Sequence, residues 1–149
     1  MFNKLIVIVI LTVNLALVSG CKHQKTQDLE KLSISIEESA CEGECPVYSM
    51  IIHNTGKAEY EGKFNVIKTG SHDYSFDVKD VDALFGRIKE LDFSSFQSLY
   101  DGPIMDLPET VITHKDHRIV IKDKRIIPDD LKELLEELQR LSRSTGFIN

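Results

Sequence analysis

Between residues 32 and 76, apolar and polar positions follow the period-two alternation that is typical of half-buried β-strands. Leu32, Ile34 and Ile36, for example, alternate with two serines. Asn54-Thr55-Gly56 has the composition of a tight turn, so we expect the strands on either side of it to form a hairpin. Thr69-Gly70 marks a further turn. The pattern predicts four strands, at residues 32–36, 47–52, 58–63 and 74–76.

Two later segments change to the spacing of amphipathic helices, with an apolar residue at every third or fourth position. Asp77 is the predicted N-cap of the first helix, and Pro128 is the predicted first residue of the second. We interpret the apolar stripes as core faces. They are Val81, Leu84, Phe85, Ile88 and Leu91 in the first helix and Leu131, Leu134, Leu135, Leu138 and Leu141 in the second.

The segment between the helices predicts two or three more strands. Residues 110–114 and 118–121 are strand-like around a turn at Lys115-Asp116, and a short third strand at Ile126 is an option. Four apolar residues between Phe93 and Tyr100 show no clear period, and we expect them to pack a turn against the sheet. The order ββββαββ(β)α favours an α+β fold, in which a mainly antiparallel sheet carries two amphipathic helices on one face.

Residues 1–20 are predicted to be a leader, because Lys4 precedes a short apolar core. The end of this segment, Leu17-Val18-Ser19-Gly20-Cys21, resembles the lipobox of bacterial lipoproteins. The resemblance implies that Cys21 becomes the mature N-terminus and carries acyl chains that hold the protein on a membrane. Lys22 after this cysteine favours the outer membrane, on its periplasmic face or at the cell surface.

The rest of the chain divides into a polar tether, residues 21–31, and a single domain, residues 32–149. The net charge of the whole chain is −6, and its basic residues form no run. Binding to a phosphate backbone needs a basic patch, so we do not expect nucleic acid as a partner.

Once Cys21 is acylated, the remaining thiols are those of Cys41 and Cys45, in a compartment where disulfides persist. A disulfide needs Cα atoms about 4.4–6.8 Å apart, whereas four steps of extended strand span about 13 Å. The chain must therefore turn at Glu42-Gly43-Glu44, where Gly43 supplies the freedom to adopt positive φ and Pro46 holds the exit extended. We predict a structural disulfide that shapes this loop.

Two other hypotheses remain open for the same cysteine pair. The C-x3-C-P spacing resembles the copper-binding segment of Sco-type cytochrome oxidase assembly proteins, and thiolates suit Cu(I). Those proteins carry the motif in a thioredoxin-like fold and use a distant histidine, whereas a strand follows the motif here. A dithiol redox centre would need a positive charge beside the thiolate, and Glu42 and Glu44 oppose this.

Histidines offer weaker metal candidates. If Lys115-Asp116 is a two-residue turn, His114 and His117 face each other across two strands and could share a metal ion. Two ligands are too few for such a site, so we prefer to interpret both as solvated turn residues. His53 and His72 each stand alone beside a turn.

Three carboxylates in one loop, Asp101, Asp106 and Glu109, could be considered for acid–base chemistry. The loop contains no nucleophile, glycine-rich cradle or metal-ligand spacing beside them. We therefore interpret them as loop-capping and solvated residues, and we expect no cofactor.

Several motifs together resemble a known family. They are Cys41-x-Gly43-x-Cys45-Pro46-x-Tyr48, a turn glycine at Gly56, Tyr60-x-Gly62, and Asp106-x-Pro108 before a strand. They are similar to lipoprotein domains grouped as domain of unknown function 6438, over about residues 33–141. The resemblance implies a small cell-envelope domain, and it transfers no activity, cofactor or catalytic residue.

The leading hypothesis is a lipid-anchored, non-catalytic envelope domain that binds another protein or a glycan, or serves as a scaffold. The alternative is a metal-handling (copper) or thiol-redox lipoprotein that uses Cys41 and Cys45. A third hypothesis is an enzyme whose site is assembled from Asp101, Asp106, His114 and His117, although no nucleophile–base arrangement supports it.

Overall fold

The computed structural model describes residues 32–103 and 107–149. The predicted leader, residues 1–20, the tether, residues 21–31, and Asp106 lie outside this part of the chain. Within the described residues, no helix combines the length and the apolar character needed to cross a membrane.

The described chain forms a mostly antiparallel sheet and two α-helices, which confirms the predicted α+β class. The sheet order is β4-β3-β2-β1-β6-β7-β5, and among the strands of the described residues only the short β5 runs parallel to its neighbour. A 3₁₀ turn at Phe93–Ser95 follows the first helix. The elements are β1 Ser33–Glu38, β2 Val47–His53, β3 Lys57–Phe64, β4 Gly70–Ser75, α1 Val78–Glu90, β5 Leu99–Tyr100, β6 Thr110–His114, β7 His117–Ile121 and α2 Asp129–Ser144.

The strand register places the apolar residues on one face of the sheet. Ile36 of β1 lies between Met50 of β2 and Ile112 of β6, and Met50 in turn lies opposite Tyr60 of β3. All four side chains are buried, in one core with the apolar stripes of both helices. Both helices therefore cover this inner face, as the sequence predicts, and the outer face carries the alternate, mostly polar positions.

The helix boundaries follow from local chemistry. Asp77 caps α1, because its carboxylate accepts a hydrogen bond from the Lys79 backbone N–H at 2.8 Å. α2 begins at Asp129, one residue later than predicted, so Pro128 is the N-cap and not the first helical residue. Asp129 and Asp130 occupy the first turn, at the positive end of the helix. Gly56 closes the β2–β3 turn with a φ of 88°, a conformation that favours glycine.

The optional strand at Ile126 does not form. Asp123 accepts a hydrogen bond from the Arg125 backbone N–H at 3.0 Å, which bends the chain into a turn, and Ile126 is 49% exposed. The additional strand is instead β5, which pairs with β7. Two residues are too short to show an alternation, so the sequence pattern could not reveal it.

Candidate functional site

The cysteine loop connects β1 to β2. The sulfur atoms of Cys41 and Cys45 lie at disulfide distance, with their Cα atoms 5.7 Å apart, and the chain turns between them as predicted. The predicted role of Gly43 is wrong: its φ is not positive, and a Cβ there would make an ordinary contact with Cys41 Sγ at 3.7 Å. The turn closes without a left-handed residue, so this position does not require glycine.

Polar groups beside the cysteine loop are engaged in contacts that hold the fold together. The Glu38 carboxylate, whose side chain is 10% exposed, accepts hydrogen bonds from Thr110 Oγ1 at 2.7 Å and Gln139 Nε2 at 2.6 Å. It thereby joins β1 to β6 and α2. Burial raises the pKa of Tyr48 to about 12, and Ser142 only partly offsets this. A phenol with this pKa remains protonated at neutral pH and is a poor nucleophile.

His114 and His117 face each other across the β6–β7 hairpin, as predicted. However, His114 is 6% exposed, so the interpretation of this residue as a solvated turn residue is wrong. It donates from Nδ1 to the Ser33 carbonyl at 2.9 Å, and His117 donates from Nε2 to the Phe96 carbonyl at 3.0 Å. Both rings pack edge-on against Phe93, which explains the burial of His114.

This environment favours a structural role for the histidine pair. Burial lowers the pKa of His114, and the bond to the Ser33 carbonyl only partly opposes this. In the described ranges, 32–103 and 107–149, no group of three or more potential ligand side chains is close enough to hold a metal ion. The hypothesis of a metal shared by His114 and His117 gains no third ligand from this part of the chain.

The loop carboxylates are not assembled into one site by the described residues. Asp101 forms an ion pair with Lys122 at 3.3 Å. Glu109 contributes its backbone, which exchanges hydrogen bonds with Ser39 at 2.7 and 2.9 Å. Asp106 belongs to the residues that are not described.

Asp123 is a carboxylate that sequence reasoning did not single out. Its side chain is 1% exposed and accepts hydrogen bonds from the Arg125 guanidinium at 2.8 and 2.6 Å. These bonds hold the pKa of Asp123 at about 2. The Asp-x-Arg spacing within a predicted turn was the available signal for this pair. The pair fixes the turn before α2.

The outer face of β2, β3 and β4 forms an open groove of about 790 Å³. Its acidic side chains are Glu59, Glu61 and Asp73. The Glu59 carboxylate accepts a hydrogen bond from His53 Nε2 at 3.0 Å. His53 therefore does not stand alone. His72 lies on the other face, where it hydrogen-bonds to the Thr69 carbonyl at 3.0 Å and packs on Phe147. The alternation in β3 was the signal for a charged surface, since every second residue there is charged and the two central ones, Glu59 and Glu61, are acidic.

Residues 32–142 match the model of a protein family described as Domain of unknown function (DUF6438). The chain belongs to this family. No curated protein matches it. The matched residues of the DUF6438 domain include the whole sheet, the cysteine loop and most of α2.

Proposed function

We propose that this DUF6438 domain is a lipid-anchored, non-catalytic binding module of the bacterial cell envelope and that its partner is another envelope protein. The observation that supports binding is the open outer face of β2–β4, where acidic side chains line a groove of about 790 Å³. Polar groups deeper in the fold are engaged in structural hydrogen bonds, as for Glu38 and His114. An open sheet face lined by charged side chains suits recognition better than acid–base or nucleophilic chemistry.

The direction of β1 indicates the end of the sheet at which the proposed tether would join the domain. The chain enters the sheet at Ser33, close to the β2–β3 turn, and β1 leads away from that end over roughly 20 Å to the cysteine loop. A lipid on Cys21, followed by a tether of about ten residues that joins this end of the sheet, would hold the domain clear of the lipid headgroups.

Lipid attachment is tested by the variant Cys21→Ser in the full chain. We expect wild-type protein to incorporate labelled fatty acid and to sediment with the outer membrane, because several acyl chains anchor it. The variant should incorporate no label and should leave the membrane fraction. A variant that retains the label would contradict lipidation at Cys21.

Partner binding is tested by cross-linking in intact cells, followed by identification of the attached molecule. A protein attached at the outer face of β2–β4 is the expected result. A glycan at this face would replace the proposed class of partner. Cells in which no position on the domain yields a cross-link would count against a binding function altogether.

The cysteine pair is proposed to be a structural clasp. Freshly isolated protein should show two blocked thiols at Cys41 and Cys45 that only a reductant releases, and it should contain no stoichiometric copper or zinc. Free thiols together with bound copper would instead support the metal-handling alternative. Free thiols without metal would support the redox alternative.

A further inference from the structure

The two edge strands of the sheet differ in length, since β5 has two residues and β4 has six. At one edge, β5 pairs with β7, and the Val120 and Lys122 backbone N–H groups donate to the Ser98 and Tyr100 carbonyls at 2.9 Å. At the other edge, β4 pairs with β3 alone, and among residues 32–103 and 107–149 no strand lies beyond it. β4 has the sequence GSHDYS, without the lysine or proline that often blocks pairing at sheet edges.

The pairing with β3 identifies the backbone groups of β4 that point outward. The Phe76 N–H donates to the Gly56 carbonyl at 2.9 Å, in the same register as the β3–β4 ladder. In an antiparallel ladder, residues that bond to the neighbouring strand alternate with residues that do not. The N–H and C=O groups that point away from β3 therefore belong to Ser71, Asp73 and Ser75.

The side chains beside this edge carry an unfavourable concentration of negative charge. Asp73 lies directly opposite Glu59 in a pair without mutual backbone hydrogen bonds, the arrangement that brings side chains closest. Like charges in this position destabilise a sheet. Glu61 adds a third carboxylate, whereas Lys57 and His53 supply positive or hydrogen-bonding groups near the β2–β3 turn and Lys63 is exposed at the other end of β3. A cation on a strand beside Asp73 would relieve this repulsion.

The inner side of the same edge is apolar. Tyr74 is half-buried and packs edge-on against Phe147, with ring centroids 5.7 Å apart. Ile67, in the connection to β4, is 59% exposed, and its N–H donates to the Phe147 carbonyl at 2.9 Å. A strand added here would place alternate side chains beside carboxylates on one face and beside aromatic or aliphatic groups on the other.

We propose that the β4 edge binds an extended segment of another envelope protein, in which basic and apolar residues alternate, by strand addition. The inference rests on the binding function proposed above. The main chain of the partner pairs with Ser71, Asp73 and Ser75, and its basic side chains lie beside Asp73 and Glu59. A second copy of this chain fits less well, since it would bring its own Asp73 and glutamates to the same edge.

A peptide of alternating Lys and Val tests the chemistry of the edge on the full chain. Amide hydrogen exchange at Ser71, Asp73 and Ser75 should slow when the Lys–Val peptide is added, and a Glu–Val peptide should have no such effect. Asp73→Lys should weaken binding at least about fivefold, because it replaces an attractive charge pair with a repulsive one. Glu136→Lys makes the same charge change on an exposed position of α2 and should leave the affinity unchanged. Equal binding by both peptides, protection away from β4, or an unaltered affinity of Asp73→Lys would overturn the proposal.

Position-specific photo-cross-linking in intact cells separates this inference from the broader function. A photoreactive residue at Ser75, exposed on β4, should cross-link to a segment of another protein that alternates basic and apolar residues. The same photoreactive residue at Lys132, which is exposed on α2, is the control. Cross-links from Ser75 to a glycan, to a second copy, or to residues 22–31 of the same chain would overturn the proposal. Cross-links to a protein from Lys132 alone would overturn the β4 site and leave the binding function standing, and none from either position would count against both.

Discussion

Gly62 of β3 lies against the connection between β3 and β4, where there is no room for a side chain. A Cβ at this position would collide with the Lys68 carbonyl oxygen and with the ring of Tyr60. Neither group can move freely, since Tyr60 Oη donates to the Lys68 carbonyl at 3.2 Å and the Lys68 N–H donates to the Phe147 carbonyl at 3.2 Å.

We expect Gly62→Ala to lower the free energy of unfolding by about 1–3 kcal/mol, the usual cost of overpacking a rigid site. Gly86→Ala is the matched control, because Gly86 lies within α1 and a Cβ there has no heavy atom within 4 Å. This control should gain about 0.5–1 kcal/mol from helix propensity. Urea denaturation measures both changes, and equal effects of the two substitutions would contradict the steric explanation.

Asp123 makes the stability of the domain depend on pH in the acid range. Its pKa in the folded state, about 2, lies below the ordinary value of 3.8 for an aspartate, so the carboxylate contributes stability above about pH 4. This contribution is lost as the pH falls through about 2. Asp123→Asn should therefore be less stable than wild type at pH 7, and the difference should shrink between pH 4 and pH 2. Denaturant unfolding at a series of pH values measures this difference in unfolding free energy. A difference that does not change with pH would show that the ion pair of Asp123 with Arg125 is not its source.

At the level of elements, the cysteine loop is a short covalent link between two adjacent antiparallel strands. Glu42, Gly43 and Glu44 are exposed, and the Asn65 side chain donates to the Cys45 carbonyl at 3.2 Å. The disulfide would therefore act mainly on the unfolded chain, by restricting a small loop rather than by packing.

We expect the double variant Cys41→Ser, Cys45→Ser to lose about 2 kcal/mol of unfolding free energy, the value that the chain-entropy model gives for so small a loop. Reduction of wild-type protein should cause the same loss and should not affect the variant. Denaturation curves with and without reductant provide the measurement. A loss of that size on reduction of the variant itself would rule out the disulfide as its cause.

The sequence predicted those elements whose pattern is long enough to be read locally. The helices show their apolar stripes over several turns, and β2–β3 shows alternation around a turn glycine. β5 was missed because it has two residues, and the burial of His114 was missed because Phe93, distant in sequence, creates it. The acidic outer surface was readable as alternating charge, but the register that places Asp73 opposite Glu59 exists only in the folded sheet.

At the scale of the whole molecule, the residues after α2 connect the C-terminus to the far edge of the sheet. Phe147 is 7% exposed and packs against Tyr60, His72 and Tyr74. Its carbonyl accepts hydrogen bonds from the Ile67 and Lys68 N–H groups at 2.9 and 3.2 Å. The family match ends at residue 142, so part of the core that supports β4 lies beyond the matched segment.

Phe147→Ala should therefore cost about 3–5 kcal/mol of unfolding free energy, because it leaves a cavity among the rings of β3 and β4 that pack on Phe147. Phe64→Ala is the matched control, since that ring is 71% exposed and its removal should change stability by less than about 0.5 kcal/mol. Amide exchange should also accelerate at Ile67 and Lys68 in the first variant, because their hydrogen bonds depend on the position of residue 147. If Phe147→Ala is as mild as Phe64→Ala, the C-terminal residues do not support the β4 edge, and that edge must be held by its pairing with β3 alone.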